Sequence, residues 1–409
     1  MEPSPSLDAR RRANARNAVA AGFLGWTIDA FDFFVLVFTL SAIAKEFGRS
    51  IPAIALTITA SLVTRPVGAF IFGLLADRFG RRVILISNIV FYSVMEILSG
   101  LAPSYQIFFA LRLLYGVGMG GNWGVGASLA MESAPPKWRG VLSGLLQEGY
   151  AVGNILAATA YYLVFPHWGW RAMFFVGAAP ALLTILICLY VEEPQAWHEA
   201  KTDWGTYRQA IFKNLPLFLY LVVLMAMMNF ISHGTQDLYP TFLQRARHFS
   251  VDTTSIISIV SMVGAIVGGL VFGHFSDKRG RRSTMVTAAL LGVLTIPLWI
   301  LAPNQPLIMV GAFAMQFMVQ GAWGVIPAHI NELSPPQLRG FFPGLAYQCG
   351  VLIASSIAYI EALLAEHFSY AASMGGLAAA VLLIGAVVIW AGPEAKGISF
   401  VKTEAAAGK

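Results

Sequence analysis

Between Asn229 and Thr241 the chain reads NFISHGTQDLYPT, which sets an amide, a hydroxyl, an imidazole, a second amide and a carboxylate inside a long apolar run. The approach from Leu215 to Leu224 (LPLFLYLVVL) is almost wholly apolar, and the exit from Leu238 to Leu243 is apolar and aromatic. An ionisable group in such a setting is costly unless it faces a water-filled cavity, a partner or a cargo. Asn229, His233 and Asp237 recur every four residues and share one helix face, with Ser232 and Gln236 as an adjacent stripe. An imidazole with a carboxylate one turn on is suited to taking up and releasing a proton. Gly234 and Pro240 are expected to loosen this helix.

Few other chemically capable groups lie inside apolar runs. Arg65, in VTRPVG, and Arg112 are the permanent cations so placed. Arg65 is about halfway along its run, ~20 Å from the run's start at 1.5 Å per residue. Its planar two-pronged guanidinium reads as a clamp for a carboxylate, or as the ion-pair partner of Asp29 or Asp32, and both can hold in different states of one cycle. Asp29 and Asp32, three residues apart on one helix, form a pair of acids able to share a proton unless a cation stands between them. Glu148, in LLQEGYAVG, is a further carboxylate in an apolar run, and Tyr150 and Asn122 add hydrogen-bonding groups. Arg112 opens an RxxxGxGxG pattern whose glycines, Gly116, Gly118 and Gly120, read as packing residues. Glu96 and Glu361 also fall in apolar runs and receive no role. The remaining histidines show no metal-ligand spacing, so neither a metal nor a cofactor is expected.

The elements that must position these groups are membrane helices. With 57% hydrophobic and 12% charged residues over 409 positions, the chain is too apolar for soluble domains. No pairing of nucleophile and base, and no phosphate-cradling loop, speaks for an enzyme. Cys188 and Cys349 stand in separate apolar runs and read as buried thiols. A spanning helix needs about 20 apolar residues. Twelve stretches qualify: 17–44, 50–76, 83–101, 105–133, 138–163, 170–191, 215–244, 252–276, 283–301, 306–333, 338–364 and 369–391. The first is long enough to remain as a helix rather than be cleaved as a signal peptide. With both termini inside, twenty basic residues fall on the cytoplasmic side, Lys201, Lys402 and Lys409 among them, against five outside. The positive-inside rule fixes that orientation, and it accounts for most of the +6 charge without a nucleic-acid partner. The expected organisation is a cytoplasmic tail at 1–16, a six-helix bundle at 17–191, a cytoplasmic linker at 192–214, a second bundle at 215–391 and a tail at 392–409.

The two halves repeat. GLLADRFGRR at Gly73–Arg82 returns as GHFSDKRGRR at Gly273–Arg282, and ESAPPKWRG at Glu132–Gly140 as ELSPPQLRG at Glu332–Gly340, each 200 residues on. Trp123-Gly124 recurs as Trp323-Gly324 at the same shift, so the chain is a parallel repeat of six helices. In the first motif Asp77, Arg78 and Arg81, and in its copy Asp277 and Arg281, are expected to bridge neighbouring helix ends on the cytoplasmic side, with Gly73 and Gly273 permitting close approach. Breaking such bridges would let one half rock against the other. Glu132 with Arg139, and Glu332 with Arg339, flank short loops and are expected to close a second latch.

These features resemble the major facilitator superfamily over essentially the whole chain. NFISHGTQD with Thr241 is similar to the seventh-helix signature of the Jen-type lactate and pyruvate:proton symporters, matching at Asn229, Ser232, His233, Thr235, Gln236, Asp237 and Thr241. The wider group also contains sialic-acid:proton symporters, and GWTIDAFDFF on the first helix resembles that whole group. The resemblance implies an all-α membrane fold of twelve helices, alternating access, proton coupling and a small organic anion as cargo. It implies that Arg65 holds the substrate, that Arg112 is a proton relay or a partner of the first helix, and that Gln348 takes part in recognition. Gln348 is also the repeat counterpart of Glu148, and Val351 stands where the Jen-type permeases carry asparagine. The expected protein is a monomer in a bacterial inner membrane, importing a monocarboxylate such as lactate or pyruvate; a sialic-acid or other organic-acid symporter, or a transporter-like nutrient sensor, are the alternatives.

Overall fold

The computed structural model describes residues 5–200, 203–357, 360, 364 and 367–400. Lys201, Glu361, Lys402 and Lys409 lie outside the described residues, as does part of the eleventh expected span. Among the described residues there are helices and connections and no strand.

The first half comprises α1 (Pro5–Glu46), α2 (Ile51–Phe79), α3 (Arg81–Gly100), α4 (Tyr105–Ser133), α5 (Arg139–Gln147) and α6 (Gly149–Leu189). Short helices α7 (Gln195–Ala200) and α8 (Trp204–Lys213) follow. The second half comprises α9 (Leu215–Gln236), α10 (Tyr239–Arg245), α11 (Val251–Arg279), α12 (Arg281–Ile296), α13 (Gln305–Leu333), α14 (Phe342–Ala354) and α15 (Tyr370–Ala391). Among the described residues eight helices are long and apolar enough to cross a membrane. The α6 helix carries two of the expected spans as legs of a bend at Gly169, whose φ of 71° is the left-handed region that glycine adopts without strain. Helix α1 starts at Pro5, so helix continues through most of the expected tail.

The repeat is visible in the caps. Ser50 and Ser250 accept from the backbone N–H three residues on, at 3.4 and 3.1 Å, and Ser104 and Asn304 do the same at 3.4 and 3.1 Å. Each pair lies 200 residues apart, and each cap satisfies an N–H that the helix cannot. The turns into α3 and α12 use Gly80 and Gly280 at φ 116° and 106°, which side chains rarely tolerate. Glu193 then accepts from the N–H groups of Arg81 and Arg82 at 2.9 Å each, and Glu394 from those of Arg281 and Arg282 at 3.1 and 3.0 Å. A carboxylate suits a helix N-terminus.

Packing follows the same symmetry. Helix α1 packs on α6 and α4, α2 on α4, α11 on α13, and α9 on α14 and α15. Between the halves, α5 packs on α11 and α13, and its counterpart α14 packs on α2 and α4. These crossings are close because glycine meets glycine: a Cβ on Gly344 would sit 3.1 Å from the Gly124 Cα.

Candidate functional site

A cavity of about 570 Å³ lies between the halves. Its charged and polar wall includes Asp29 and Arg65 from the first half and His233, Gln236 and Asp237 from the second, with Glu148 where α5 breaks into α6. Tyr150, Asn229 and Ser232 also line it. The floor is aromatic and shared. Trp123 packs 4.5 Å from Tyr347, and Trp26 and Trp323 stand 6.0 and 6.1 Å from the same ring. Of the repeated Trp-Gly pair, Trp323 lines the cavity and Trp123 backs it through Tyr347.

Arg65 Nη2 reaches Asp29 Oδ1 at 3.4 Å, and no such contact is made with Asp32. The bridge is long, and it occupies only one arm of the fork. The same Nη2 lies 3.3 Å from Met119 Sδ, Nε is buried without a hydrogen-bond partner among the described residues, and the residue as a whole is 6% exposed. The guanidinium thus makes its contacts through Nη2 alone and lines the cavity. A charge buried this way favours an incoming anion over vacancy.

On α9, His233 Nδ1 and the Asp237 carboxylate lie 3.2 Å apart and both face the cavity half-exposed. The shared face expected for Asn229, His233 and Asp237 is present. The break does not fall at Gly234, which stays helical and makes ordinary contact with Ile357 and Val381. It falls at Asp237 and Leu238, and Pro240 then sits in the first turn of α10, where a missing N–H costs nothing.

Four expected site residues lie outside the cavity wall. Asn122 donates to the Gly25 carbonyl at 2.8 Å and ties α4 to α1. Gln348 is buried with neither amide atom hydrogen-bonded among the described residues. Asp32 is buried away from the cavity with both carboxylate oxygens unpartnered. Arg112 pairs with Glu96 of α3 at 2.5 Å and lies 3.8 Å over the Tyr115 ring, so its ionic partner is on the third helix rather than the first. Glu96, to which the sequence assigned nothing, neutralises it. Conversely Gln147, Asn154, Gln320 and the cavity-backing Gln316 were not singled out. Gln316 and Gln320 stand where the first repeat has Gly116 and Gly120, a substitution visible at the 200-residue shift. Among the described residues no group of three or more His, Cys, Asp or Glu is placed to hold a metal ion.

The basic end of the bundle is shut. Asp77 accepts from the backbone N–H groups of Gly340 and Phe341 at 2.7 and 3.1 Å, and Asp277 accepts from those of Gly140 and Val141 at 2.9 and 3.2 Å. Each aspartate therefore reaches across to the other half, and Asp277 caps the start of α5. Arg81 and Arg281 lie 2.8 and 2.7 Å from the aspartate of their own motif. Gly73 makes room: a Cβ there would sit 2.9 Å from the Phe341 Cα, and Gly273 faces Gly140 likewise. The Tyr207 hydroxyl of α8 donates to Asp77 at 3.0 Å, and Arg78 lies 5.8 Å over the Trp204 ring.

The second latch is crossed rather than local. Arg139 pairs with Glu332 at 2.9 Å, which also holds Arg281, whereas Glu132 pairs with Arg81 at 3.0 Å. The extended Ala134–Pro135 backbone carries Arg139 to the start of α5, where Nε donates back to the Met131 carbonyl at 3.2 Å while Nη1 crosses to Glu332. Arg339 makes no matching pair with Glu132. Instead the Phe400 ring is sandwiched, 3.8 Å from the Arg139 guanidinium and 3.9 Å from that of Arg339. The carbonyl of Ile398 accepts from Arg139 at 3.0 Å.

A family model described as the Major Facilitator Superfamily matches residues 22–250 and 238–407. The chain belongs to this superfamily. A carboxylic acid transporter protein homolog of Saccharomyces cerevisiae is 30% identical over 376 residues, which is 85% of this chain and 61% of the yeast protein's own length. The sialic acid transporter NanX of Escherichia coli is 29% identical, over 82% of this chain and 84% of its own. In fold the chain is similar to the proton:xylose symporter XylE, with a TM-score of 0.72, 19% identity and coverage of 95% and 98% of the two chains. The human organic anion transporter MFSD10 gives 0.71 at 14% identity, covering 92% and 99%. The chain is thus a multi-pass membrane transporter and not an enzyme.

Proposed function

We propose that the chain is a proton-coupled symporter that imports a small monocarboxylate, such as lactate or pyruvate, across a bacterial plasma membrane by alternating access. The observation that carries this reading is Arg65, a cation at the cavity wall whose one carboxylate contact is a long 3.4 Å reach to Asp29 through Nη2. The cargo carboxylate displaces Asp29 from the guanidinium, and the released carboxylate becomes a site for the proton. Glu148, and His233 with Asp237, are the further titratable groups the cavity exposes. Asp32 and Arg112 lie behind this wall, and they act on coupling through α1 and α4.

With the basic end in the cytoplasm, the closed latches and the cavity above them support reading this state as outward-facing. Residues 17–191 and 215–391 then rock as two bundles about the α5 and α14 crossings. The transporter works as a monomer.

Uptake of labelled lactate into proteoliposomes tests the reading. It should rise with an inward proton gradient and collapse with a protonophore; indifference to both refutes proton coupling. A second reading, a sialic-acid or other sugar-acid symporter, is favoured by the cavity volume of about 570 Å³, which accommodates a larger acid. Competition by unlabelled sialate separates the two.

A further inference from the structure

Two neutral amides beside the cavity have their hydrogen-bond polarity dictated by the backbone. Gln316, 3% exposed on α13, directs Nε2 at the Thr235 carbonyl at 3.4 Å and at Thr235 Oγ1 at 3.3 Å. The Thr235 hydroxyl spends its own proton on the carbonyls of Ile231 and Ser232, at 2.9 and 3.1 Å, so Oγ1 accepts from Gln316. A carbonyl can only accept, so the donor end of Gln316 must face Thr235 and its Oε1 must face away. That Oε1 accepts from Gln236 Nε2 at 2.8 Å. The orientation of the second amide is thereby set as well. Gln236 lines the cavity with one of its two Nε2 protons held by Gln316, which fixes the orientation of the amide, and its Oε1 meets no donor among the described residues.

Asn229, about two helical turns earlier on α9, repeats the logic. One Nδ2 proton is donated to the Met225 carbonyl at 2.8 Å, which orients the amide and points Oδ1 away from that carbonyl. Seven residues at 1.5 Å each separate the two acceptors by about 10 Å along the helix. The cavity face of α9 thus offers fixed acceptors on either side of Ser232 and His233.

We propose that Gln316, acting through Gln236, makes the site selective for carboxylic acids that carry hydroxyl groups. This rests on the carboxylate reading above and narrows its cargo. With the carboxylate on Arg65, a hydroxyl elsewhere on the molecule donates to Gln236 Oε1. A keto oxygen in the same place sets acceptor against acceptor, and a plain methylene leaves the amide oxygen unpaired once water is expelled. The class runs from short 2-hydroxy acids to polyhydroxylated sugar acids, the latter able to reach Asn229 too.

The test is calorimetric titration of the purified full chain at fixed pH with lactate, pyruvate and propionate, and with gluconate beside hexanoate. The hydroxylated acid is expected to bind about tenfold tighter than its partners in at least one size class. Gln236→Leu and Gln316→Leu should bring the affinities together by weakening the hydroxylated acid. Gln316→Glu, whose protonated acid can still donate to Thr235 and accept from Gln236, should keep the preference. Equal affinities within both size classes in the parent protein overturn the proposal, as does a preference that survives Gln236→Leu. Failure of all five acids to bind, or binding indifferent to Arg65→Lys, refutes the carboxylate reading itself and the proposal with it.

Discussion

Replacing Asp77 by alanine should open the basic end. The side chain accepts from two backbone N–H groups of the opposite half, Gly340 at 2.7 Å and Phe341 at 3.1 Å, and its partners Arg81 and Tyr207 are themselves buried. Hydrogen bonds to a charged acceptor contribute about 1.5 kcal/mol each at the low end of their range, so the two crossing bonds give roughly 3 kcal/mol. That corresponds to a shift of more than about a hundredfold toward the state open at this end, since 1.4 kcal/mol is tenfold. Spin labels at Lys137 and Gln337, on the facing loops of the two halves, report the separation in a background lacking Cys188 and Cys349. The parent should give one short distance and Asp77→Ala a predominantly long one. Asp77→Asn, which keeps a neutral acceptor worth about 1 kcal/mol less per bond, should populate both. An unchanged distance distribution in Asp77→Ala would falsify the view that these crossing bonds hold the gate.

The same label pair tests the tail. Phe400→Ala removes two buried cation–π contacts, about 1 kcal/mol each, and should shift the gate roughly thirtyfold toward open; no shift means the tail merely rests on the latch. Arg65→Lys keeps charge but loses the fork, so carboxylate affinity should fall at least about tenfold, and parental affinity would remove the clamp. His233→Gln and Asp237→Asn should abolish proton-driven accumulation while counterflow persists in part, and unchanged dependence on the proton gradient would take the pair out of the coupling path. Asp203 caps α8, and its carboxyl is held below its ordinary 3.8 chiefly by the Thr206 hydroxyl and then by the Thr206 N–H. The cap is therefore complete above pH 3.8 and is lost as pH falls through the lower folded value. Asp203→Ala at neutral pH should raise hydrogen exchange across residues 204–213, and parental exchange would show the cap to be idle.

What the sequence made legible was whatever repeats or follows helical periodicity. The 200-residue shift located both gate motifs and the Trp-Gly pair, because each half needs the same turns and the same cross-contacts. Periodicity put Asn229, His233 and Asp237 on one face correctly, since four residues nearly close a turn. It did less well at a spacing of three. Asp29 and Asp32 differ by about 60° around the helix, enough to leave Asp29 at the cavity and turn Asp32 into the bundle. The pairing of Arg112 with Glu96 was hidden for a related reason. Which of several buried acids meets a buried arginine depends on helix rotation, and no spacing within α4 encodes the orientation of α3.

The gate shows where symmetry stops being a guide. Perfect repetition would pair Arg339 with Glu132 as Arg139 pairs with Glu332, yet only the second pair forms. The two carboxylates differ in what they already hold. Glu332 accepts from Arg281 through both oxygens and from Arg139 as well, whereas Glu132 accepts from Arg81 through one oxygen. Arg339 is left with Nε and Nη1 unpartnered among the described residues, and an aromatic ring from the chain's last described residue covers it. A ring face attracts a guanidinium without satisfying its donors, so this contact is weaker than a carboxylate pair and more readily given up. Of the two repeat-related arginine side chains, one therefore makes a strong crossing and the other a weak one. When the halves separate, the arginine side-chain contact that yields at least cost is that of Arg339 with Phe400, while the Asp77 bonds to Gly340 and Phe341 beside it are the ones that must be broken.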